Sequence, residues 1–181
     1  HPTLRRQRQM CIRDRSEAEG CLKKAHELND NDFEVHRLMA EVNLSGRNFR
    51  VAERHASKAY KMVPNDPRVL SVYGEVSLRL GKIDQGLDAL KLALEIDPIA
   101  QGKTNSDSRT APVIFGEFLA RNKDNCLELV EKLEDIDSKS WLLTAKLCSD
   151  EEHDITEEDW YKRGKEEFNL SLIHISEPTR Q

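Results

Sequence analysis

The fold of this protein is decided by residues 70–98, LSVYGEVSLRLGKIDQGLDALKLALEIDP. This stretch holds two helix-length apolar patterns with small residues and a final proline, and the same pattern recurs upstream at an interval of 34 residues. The columns that agree are Ala25, Ala59 and Ala93; Asp30, Pro64 and Pro98; and Ala18, Ala52 and Gly86. A period of this length predicts stacked pairs of helices, each pair joined by a short turn.

The repeated residue types have a physical role in such a pair. Small side chains let two helices approach closely where they cross, and a proline or a short polar side chain ends one helix before the next begins. The apolar spacing predicts helices over about 16–28, 33–45, 49–62, 67–80 and 83–96. We expect Gly46 and Gly81 in the turns within the pairs.

The second half of the chain follows the same plan less regularly. Residues 101–108 are polar and lack apolar periodicity, which predicts a loop. Apolar residues at intervals of three to four then predict a degenerate helix pair at about 112–121 and 125–134, and a last pair at about 138–148 and 156–168. We therefore expect nine helices and no strands.

The repeat resembles the tetratricopeptide repeat (TPR), whose pattern is W-x2-L-G-x2-Y, then A-x3-F, then P. Tyr73, Gly74, Gly86, Ala93 and Pro98 form the best copy. The aromatic positions of the pattern hold other residues here, which are His36, Asn43, Leu70 and Ser77. The resemblance implies an all-α, TPR-like α-solenoid of antiparallel helix pairs, of which the last two pairs are degenerate.

The resemblance also divides the chain. TPR-like repeats are expected over 16–100, as a half-copy at 16–32 and copies at 33–66 and 67–100. The loop at 101–108 and the degenerate pairs at 109–169 follow. A further resemblance, to the C-terminal TPR regions of class III adenylate/guanylate cyclases, rests on Asn65–Leu70 (NDPRVL), Gly86-Leu87 and Leu94–Pro98 (LEIDP). It implies a regulatory region beside an upstream catalytic domain, and it carries over no catalytic residue.

The two ends resemble the translated adapters of transposase-based sequencing libraries. When residues 9–15, QMCIRDR, are back-translated, the reverse complement spells LSLIHI, which is the sequence of residues 170–175. Such an inverted repeat, about 19 nucleotides long, is typical of a cloning or library scar, which has to be left out of fold reasoning. Residues 1–15 and 170–181 are therefore interpreted as adapter-derived artefacts.

Charge and cysteine usage restrict the class of protein. The chain has 28 Lys and Arg against 33 Asp and Glu, a net charge of −5, which argues against binding to nucleic acid. No apolar run approaches the roughly 18 residues of a membrane span. Cys21, Cys126 and Cys148 are far apart and form no C-x-x-C pair, so we expect reduced, buried thiols and a cytoplasmic protein, with a disulfide or a zinc site as the alternative.

No catalytic pattern is present in the sequence. Phosphate-binding glycine loops, G-x-S-x-G and H-E-x-x-H are all missing. The acidic run at residues 150–154 lacks the ordered spacing of metal ligands and is interpreted as a solvated loop, after which Thr156 caps the final helix. Trp141, Trp160 and Tyr161 are expected in the core. We expect no enzyme activity, cofactor or metal from this fragment, although the parent protein can be an enzyme.

The remaining candidate for function is a surface. In TPR proteins the first helix of each pair lines the concave face, and the resemblance therefore implies a partner-binding set. These residues are Glu34, Arg37, Glu41, Leu44, Arg68, Ser71, Glu75, Leu78 and Arg79. TPR proteins that resemble chaperone adaptors hold the terminal carboxylate of a partner with a clamp of Lys, Asn and Arg residues. This chain does not support such a clamp, because Glu41 and Glu75 stand at the positions of the Asn residues. The expected function is a noncatalytic module that binds a protein or peptide; the alternatives are a regulatory cyclase region, or charges that only solvate the groove.

Overall fold

The computed structural model describes residues 17–97, 109–133, 138–156 and 158–167. Within them the regular structure is helical, without strands, as the sequence predicted. The elements are α1 (17–28), α2 (Phe33–Ser45), α3 (Phe49–Met62), α4 (Pro67–Arg79), α5 (Ile83–Ile96), α6 (Thr110–Leu119), α7 (Lys123–Glu131), α8 (Ser138–Asp150) and α9 (Asp159–Glu167). The adapter-like ends and the expected loop at 101–108 lie outside the described residues.

The chain divides into two compact units, His1–Pro98 and Ile99–Gln181. In the first unit, α2 packs on α3 and α4 packs on α5, and the two pairs meet through contacts of α3 and α2 with α4. In the second unit, α6, α7 and α8 pack together and α9 lies against α7 and α8. No described helix is long and apolar enough to span a membrane.

Short polar residues and tight turns set the ends of the helices in the first unit. The Asp32 side chain accepts a hydrogen bond from the backbone N–H of Glu34, and Asp66 accepts from those of Arg68 and Val69, with Pro67 opening α4. The turns within the two pairs use a left-handed residue at equivalent positions 34 apart. That residue is Gly81, with φ 78°, in one pair and Arg47, with φ 61°, in the other. Gly46, which the sequence placed in this turn, has an ordinary φ of −78°.

Small residues form the crossings of the two complete helix pairs, as the repeat pattern predicted, whereas Ala18 and Ala25 of the half-copy are only half-buried. Ala40, Ala52, Ala56, Ala59 and Ala93 are buried. At the α4–α5 crossing Gly74 has no room for a side chain, because a Cβ there would lie 2.6 Å from Leu90 Cγ and 2.9 Å from the Gly86 carbonyl oxygen. A Cβ on Gly86 would lie 2.8 Å from Leu78 Cδ2. The two helices therefore pack with backbone close to backbone.

The core of the second unit is built around two tryptophans. Trp141 and Trp160 are buried, and Tyr161 stacks on Trp141 with 4.9 Å between ring centroids, which confirms their expected place in the core. The Trp141 indole N–H donates to the Tyr161 carbonyl oxygen at 3.2 Å. Gly164 lies directly against the Trp141 ring, where a Cβ would overlap it.

The cysteines divide between core and surface. Cys126 and Cys148 are buried free thiols of the second unit, and burial raises their pKa values, to about 12 and about 11. Cys21 is exposed on α1, so the expectation that it is buried is wrong. Cys21 lies four residues before Ala25 of the repeat pattern, and its side chain faces solvent.

The sequence misplaced several helix boundaries in the second unit. Helices α6 and α7 begin two residues earlier than expected, at Thr110 and Lys123. The last helix begins at Asp159 rather than near Thr156. The reason is local, because the Asp154 carboxylate accepts hydrogen bonds from both the backbone N–H and the hydroxyl of Thr156, which is thereby held in a turn and does not cap the helix.

The α4–α5 crossing gives a stability prediction. Gly74→Ala is expected to lower the free energy of unfolding by about 1–3 kcal/mol, because the added methyl group meets Leu90 and the rigid backbone of Gly86. Urea denaturation followed by circular dichroism measures the change.

Gly20→Ala on α1 is the matched control. Nothing lies within 4 Å of the Cβ that it adds, so the substitution should be neutral or stabilise the helix by up to about 1 kcal/mol. Equal stability of the Gly74→Ala variant and the unsubstituted protein would contradict the close crossing.

Candidate functional site

The first helices of the two pairs, α2 and α4, carry all nine residues that the sequence assigned to a partner-binding surface. On α2 the Arg37 guanidinium donates two hydrogen bonds to the Glu34 carboxylate, from Nε at 3.0 Å and from Nη2 at 2.8 Å. It donates a third, from Nη1, to Glu41 Oε2 at 3.0 Å. The spacings i,i+3 and i,i+4 place all three side chains on one side of the helix. Arg37 is thus fixed between two carboxylates, and its side chain is only 14% exposed.

A second arginine joins this group from α4. Arg68 pairs with Asp66 at 2.9 Å and reaches across to Glu34 Oε1 on α2 at 3.5 Å. Glu34 and Arg68 occupy equivalent positions in consecutive repeats, 34 residues apart, and their opposite charges attract each other between the neighbouring helices. We call Glu34, Arg37, Glu41, Asp66 and Arg68 the α2–α4 charge cluster.

The cluster keeps its acids ionised. The hydrogen bond from Arg37 holds the pKa of Glu34 below its usual range. Burial alone would raise the pKa of Asp66, but hydrogen bonds from the Arg68 side chain and from the backbone N–H groups of Arg68 and Val69 lower it overall. The outer members of the cluster face water, since the Arg68 side chain is 51% exposed and that of Glu41 is 54% exposed. One cation and one anion are therefore open to a partner.

The other predicted site residues lie in different surroundings. Ser71 donates its hydroxyl hydrogen bond to the Pro67 carbonyl oxygen of its own helix at 2.8 Å. Leu44 is half-buried against the cluster of Ala40, Val72 and Val76. Glu75 is half-buried and Arg79 exposed, on the same helix.

Leu78 does not belong to the surface. It is 3% exposed and packs against Gly86 at the α4–α5 crossing, so no partner can reach it, and its assignment to the binding surface is wrong. Leu44 occupies the equivalent position on α2, 34 residues earlier, and is half-exposed there. In the second pair, Gly86 faces Leu78 and lets the leucine side chain pack against α5.

A cluster of histidines, which the sequence did not reveal, lies where α1, α2 and α3 meet. His26, His36 and His55 have ring centroids 5.0–6.0 Å apart. The Nδ1 atoms of His36 and His55 are 2.9 Å apart, and His36 Nε2 lies 2.9 Å from the Asp30 carbonyl oxygen. A carbonyl oxygen only accepts, so His36 Nε2 carries the proton; in the neutral pair, His36 Nδ1 accepts from the N–H of His55.

The surroundings favour the uncharged forms of His36 and His55. Burial lowers the pKa of His36, which is 1% exposed. Burial also lowers the pKa of His55, to about 4, with help from the neighbouring His36, His26, Arg54 and Lys58. In the part of the chain that the structure describes, no group of three or more His, Cys, Asp or Glu is arranged to hold a metal ion. The only sequence signal was His36 itself, which stands at an aromatic position of the TPR pattern.

Known proteins share the architecture more than the sequence. No protein-family model matches the chain, and no curated protein matches it. Its structure is similar to PilF of Pseudomonas aeruginosa, with a TM-score of 0.68 and 17% identity, over 89% of this chain and 70% of that one. It is also similar to a structure of MamA, with a TM-score of 0.68 and 12% identity, over 91% of this chain and 95% of that one. The fold is TPR-like.

A second MamA structure agrees, with a TM-score of 0.67 and 12% identity over 96% of this chain. The predicted fold class, an all-α TPR-like α-solenoid, is thereby confirmed. At 12–17% identity the likeness establishes the fold and carries no partner or activity over to this chain.

The histidine cluster predicts how stability depends on pH. The unfolded chain has ordinary histidines with pKa values near 6.5, whereas the folded chain lowers those of His36 and His55. Between pH about 6.5 and 4 the unfolded state therefore binds more protons, and the free energy of unfolding should fall as pH falls through this window. Urea titrations at several pH values measure the slope. Glu34 and Asp66, whose pKa values are lowered, lose their contribution only at lower pH.

His55→Asn removes the titrating ring but keeps an N–H donor for His36, so it should flatten this pH dependence between pH about 6.5 and 4. His153→Asn, at an exposed position of the second unit, is the control and should leave the slope unchanged. An unchanged slope in the His55→Asn variant would show that another group is responsible.

Proposed function

We propose that this chain is a noncatalytic protein-interaction module that binds a peptide or partner domain of mixed charge along the α2–α4 face. The observation that supports the proposal is the α2–α4 charge cluster, in which half-exposed Arg68 on α4 and half-exposed Glu41 on α2 are linked through Glu34 and Arg37. The resemblance to TPR proteins assigns the first helix of each pair, here α2 and α4, to the concave face that binds partners.

The contacts within the α2–α4 charge cluster give Arg37 and Arg68 different roles. Arg37 is held by two carboxylates and is mostly covered, so it orients Glu34 and Glu41 and has little surface left to offer a ligand. Arg68 makes only a long, 3.5 Å contact with Glu34 and keeps half of its side chain in water. Its planar guanidinium can therefore bind a carboxylate of a partner while it keeps its bond to Asp66. Glu41 can accept a bond from a partner's cation.

A mixed-charge surface favours orientation over strength. A peptide that places an acid near Arg68 and a base near Glu41 satisfies both, whereas the reversed peptide meets like charges. Half-buried Leu44, one turn beyond Glu41 on α2, supplies an apolar contact next to the charges. We therefore expect the surface to select the direction in which a peptide binds, and to bind it with modest affinity at physiological salt.

Charge reversal tests this proposal. Peptides that bind the unsubstituted chain are selected from a displayed random library, and their affinities are compared with those for a variant carrying Arg68→Glu and Arg79→Glu. We expect affinity to fall at least about tenfold at low salt and less at high salt, where charges are screened. The fold should survive, because exposed ion pairs contribute only about 0–1 kcal/mol.

The control variant carries Lys23→Glu and Lys24→Glu, which reverse two exposed cations of α1. It should bind the selected peptides like the unsubstituted chain. Equal losses from both variants, or none from either, would mean that the charges of α2 and α4 only solvate the surface.

A second candidate function is that of a regulatory C-terminal region of a nucleotide cyclase. It is favoured by the run Asn65–Leu70, in which Asp66 and Pro67 start α4, followed by the two further helix pairs. In that case the α2–α4 face would dock on a domain of the same protein, and a cytoplasmic location would follow. A cyclase catalytic domain encoded upstream in the same reading frame would favour this candidate, and an unrelated upstream sequence would reject it.

We also propose that residues 1–15 and 170–181 derive from library adapters, and that the repeats and degenerate pairs at 16–169 are the authentic sequence. The inverted repeat encoded by residues 9–15 and 170–175 supports this. Sequencing the source DNA should find that repeat at both ends of the coding fragment. Unrelated codons at either end would reject the proposal.

A further inference from the structure

A row of unpaired cations lies along one side of α3, away from the α2–α4 charge cluster. Arg50, Arg54 and Lys61 are exposed, and their spacing of four and seven residues keeps them on one face of the helix. None of them forms a salt bridge with the described part of the chain. We call these three residues the basic stripe.

The equivalent face of the next repeat has the opposite charge. Asp84, Asp88 and Glu95 on α5 stand 34 residues after Arg50, Arg54 and Lys61, and all three are exposed. They too form no salt bridge to any residue that the structure describes. These three residues form the acidic stripe, and its spacing is identical to that of the basic stripe.

The other polar groups of α3 are used within the fold. Glu53 forms an ion pair with Lys82, Lys58 donates to the Asp30 carbonyl oxygen, and His55 bonds to His36. What remains is the basic stripe. Arg50 and Arg54 repel each other at i,i+4, as do Asp84 and Asp88. Exposed Lys91 shares the face of the acidic stripe, which leaves that face of α5 negative overall and the face of α3 positive.

We propose that these stripes are a docking surface for a second copy of this chain. The basic stripe of one copy pairs with the acidic stripe of the other, and a twofold axis makes the same contact twice, as in an isologous dimer. Each stripe spans about 16 Å of helix at 1.5 Å per residue. Because the spacings are identical, parallel alignment of α3 with α5 of the second copy brings all three pairs together at once.

Charge complementarity selects this occupant. An acidic partner would satisfy only α3 and a basic partner only α5, whereas a second copy offers an oppositely charged stripe to each and places the uncharged Ser57 opposite Lys91. Exposed ion pairs are individually weak and are screened by salt. We therefore expect a dimer that forms at high protein concentration and low ionic strength and dissociates as salt is raised.

Analytical ultracentrifugation of the full chain tests the proposal. One variant carries Arg50→Glu, Arg54→Glu and Lys61→Glu, and a second carries Asp84→Lys, Asp88→Lys and Glu95→Lys. Each has two stripes of the same sign, so each alone should be monomeric, with a dissociation constant raised at least about tenfold over the unsubstituted chain. A mixture of the two variants should restore the dimer, because each stripe again meets its opposite.

The matched control carries Lys23→Glu, Lys24→Glu and Lys146→Glu, which give the same net charge as the first variant but leave both stripes intact. It should dimerise with itself like the unsubstituted chain. Circular dichroism checks that all variants are folded.

Three results would overturn the proposal. They are an unsubstituted chain that stays monomeric up to about 1 mM at low salt, a dimer that persists in both single-sign variants, and a mixture that stays monomeric. If the unsubstituted chain stays monomeric, each stripe would instead bind a separate partner of opposite charge.

Discussion

The close approach of α4 and α5 at Gly74 and Gly86 is the contact on which the architecture of the first unit depends. Each glycine lies where the other helix leaves no space for a methyl group, so the backbones themselves form the interface. The equivalent positions of the preceding pair hold Ala40 and Ala52, both buried. Small residues at these positions let the same helix pair be built twice, and residues 34 apart therefore occupy corresponding places.

Because residues 34 apart occupy corresponding places, the charges of the two repeats can be compared position by position. On the first helices, equivalent positions hold Glu34 and Arg68, which lie near each other and attract across the contact of α2 with α4. On the second helices, Arg50, Arg54 and Lys61 correspond to Asp84, Asp88 and Glu95, and these opposite charges are exposed and form no salt bridge with the described residues. One face thus joins the repeats to each other, while the other offers complementary surfaces outward.

The histidine cluster explains how a TPR-like repeat works without its usual aromatic residue. His36 stands at an aromatic position, and its ring stacks on His55 with 5.2 Å between centroids and 30° between planes. It fills the space as a flat ring, and it satisfies its two nitrogens through His55 and the Asp30 carbonyl oxygen. The cost is that the pKa values of buried His36 and half-buried His55 are lowered, which makes the junction of α1, α2 and α3 sensitive to acid.

The sequence by itself determined the helices, the 34-residue period, the buried alanines and the place of both tryptophans in the core. These features depend on spacing along a single helix or on residue size, and both can be read without knowing the neighbours. It also indicated which helices carry mixed charge. The helix starts at Lys123 and Asp159 escaped it, because side-chain hydrogen bonds set them, of Asn122 with the Asn125 N–H and of Asp154 with Thr156.

Only the tertiary structure decided which side chains meet. It buried Leu78 against Gly86 and left the equivalent Leu44 half-exposed, because the helix facing each residue differs between the two pairs. It gathered His26, His36 and His55 from three helices, covered Arg37 with two carboxylates and left Cys21 on the surface. Periodicity specifies the face of a helix on which a residue lies, but burial and pairing depend on what packs against that face, and that is fixed only when helices distant in sequence come together.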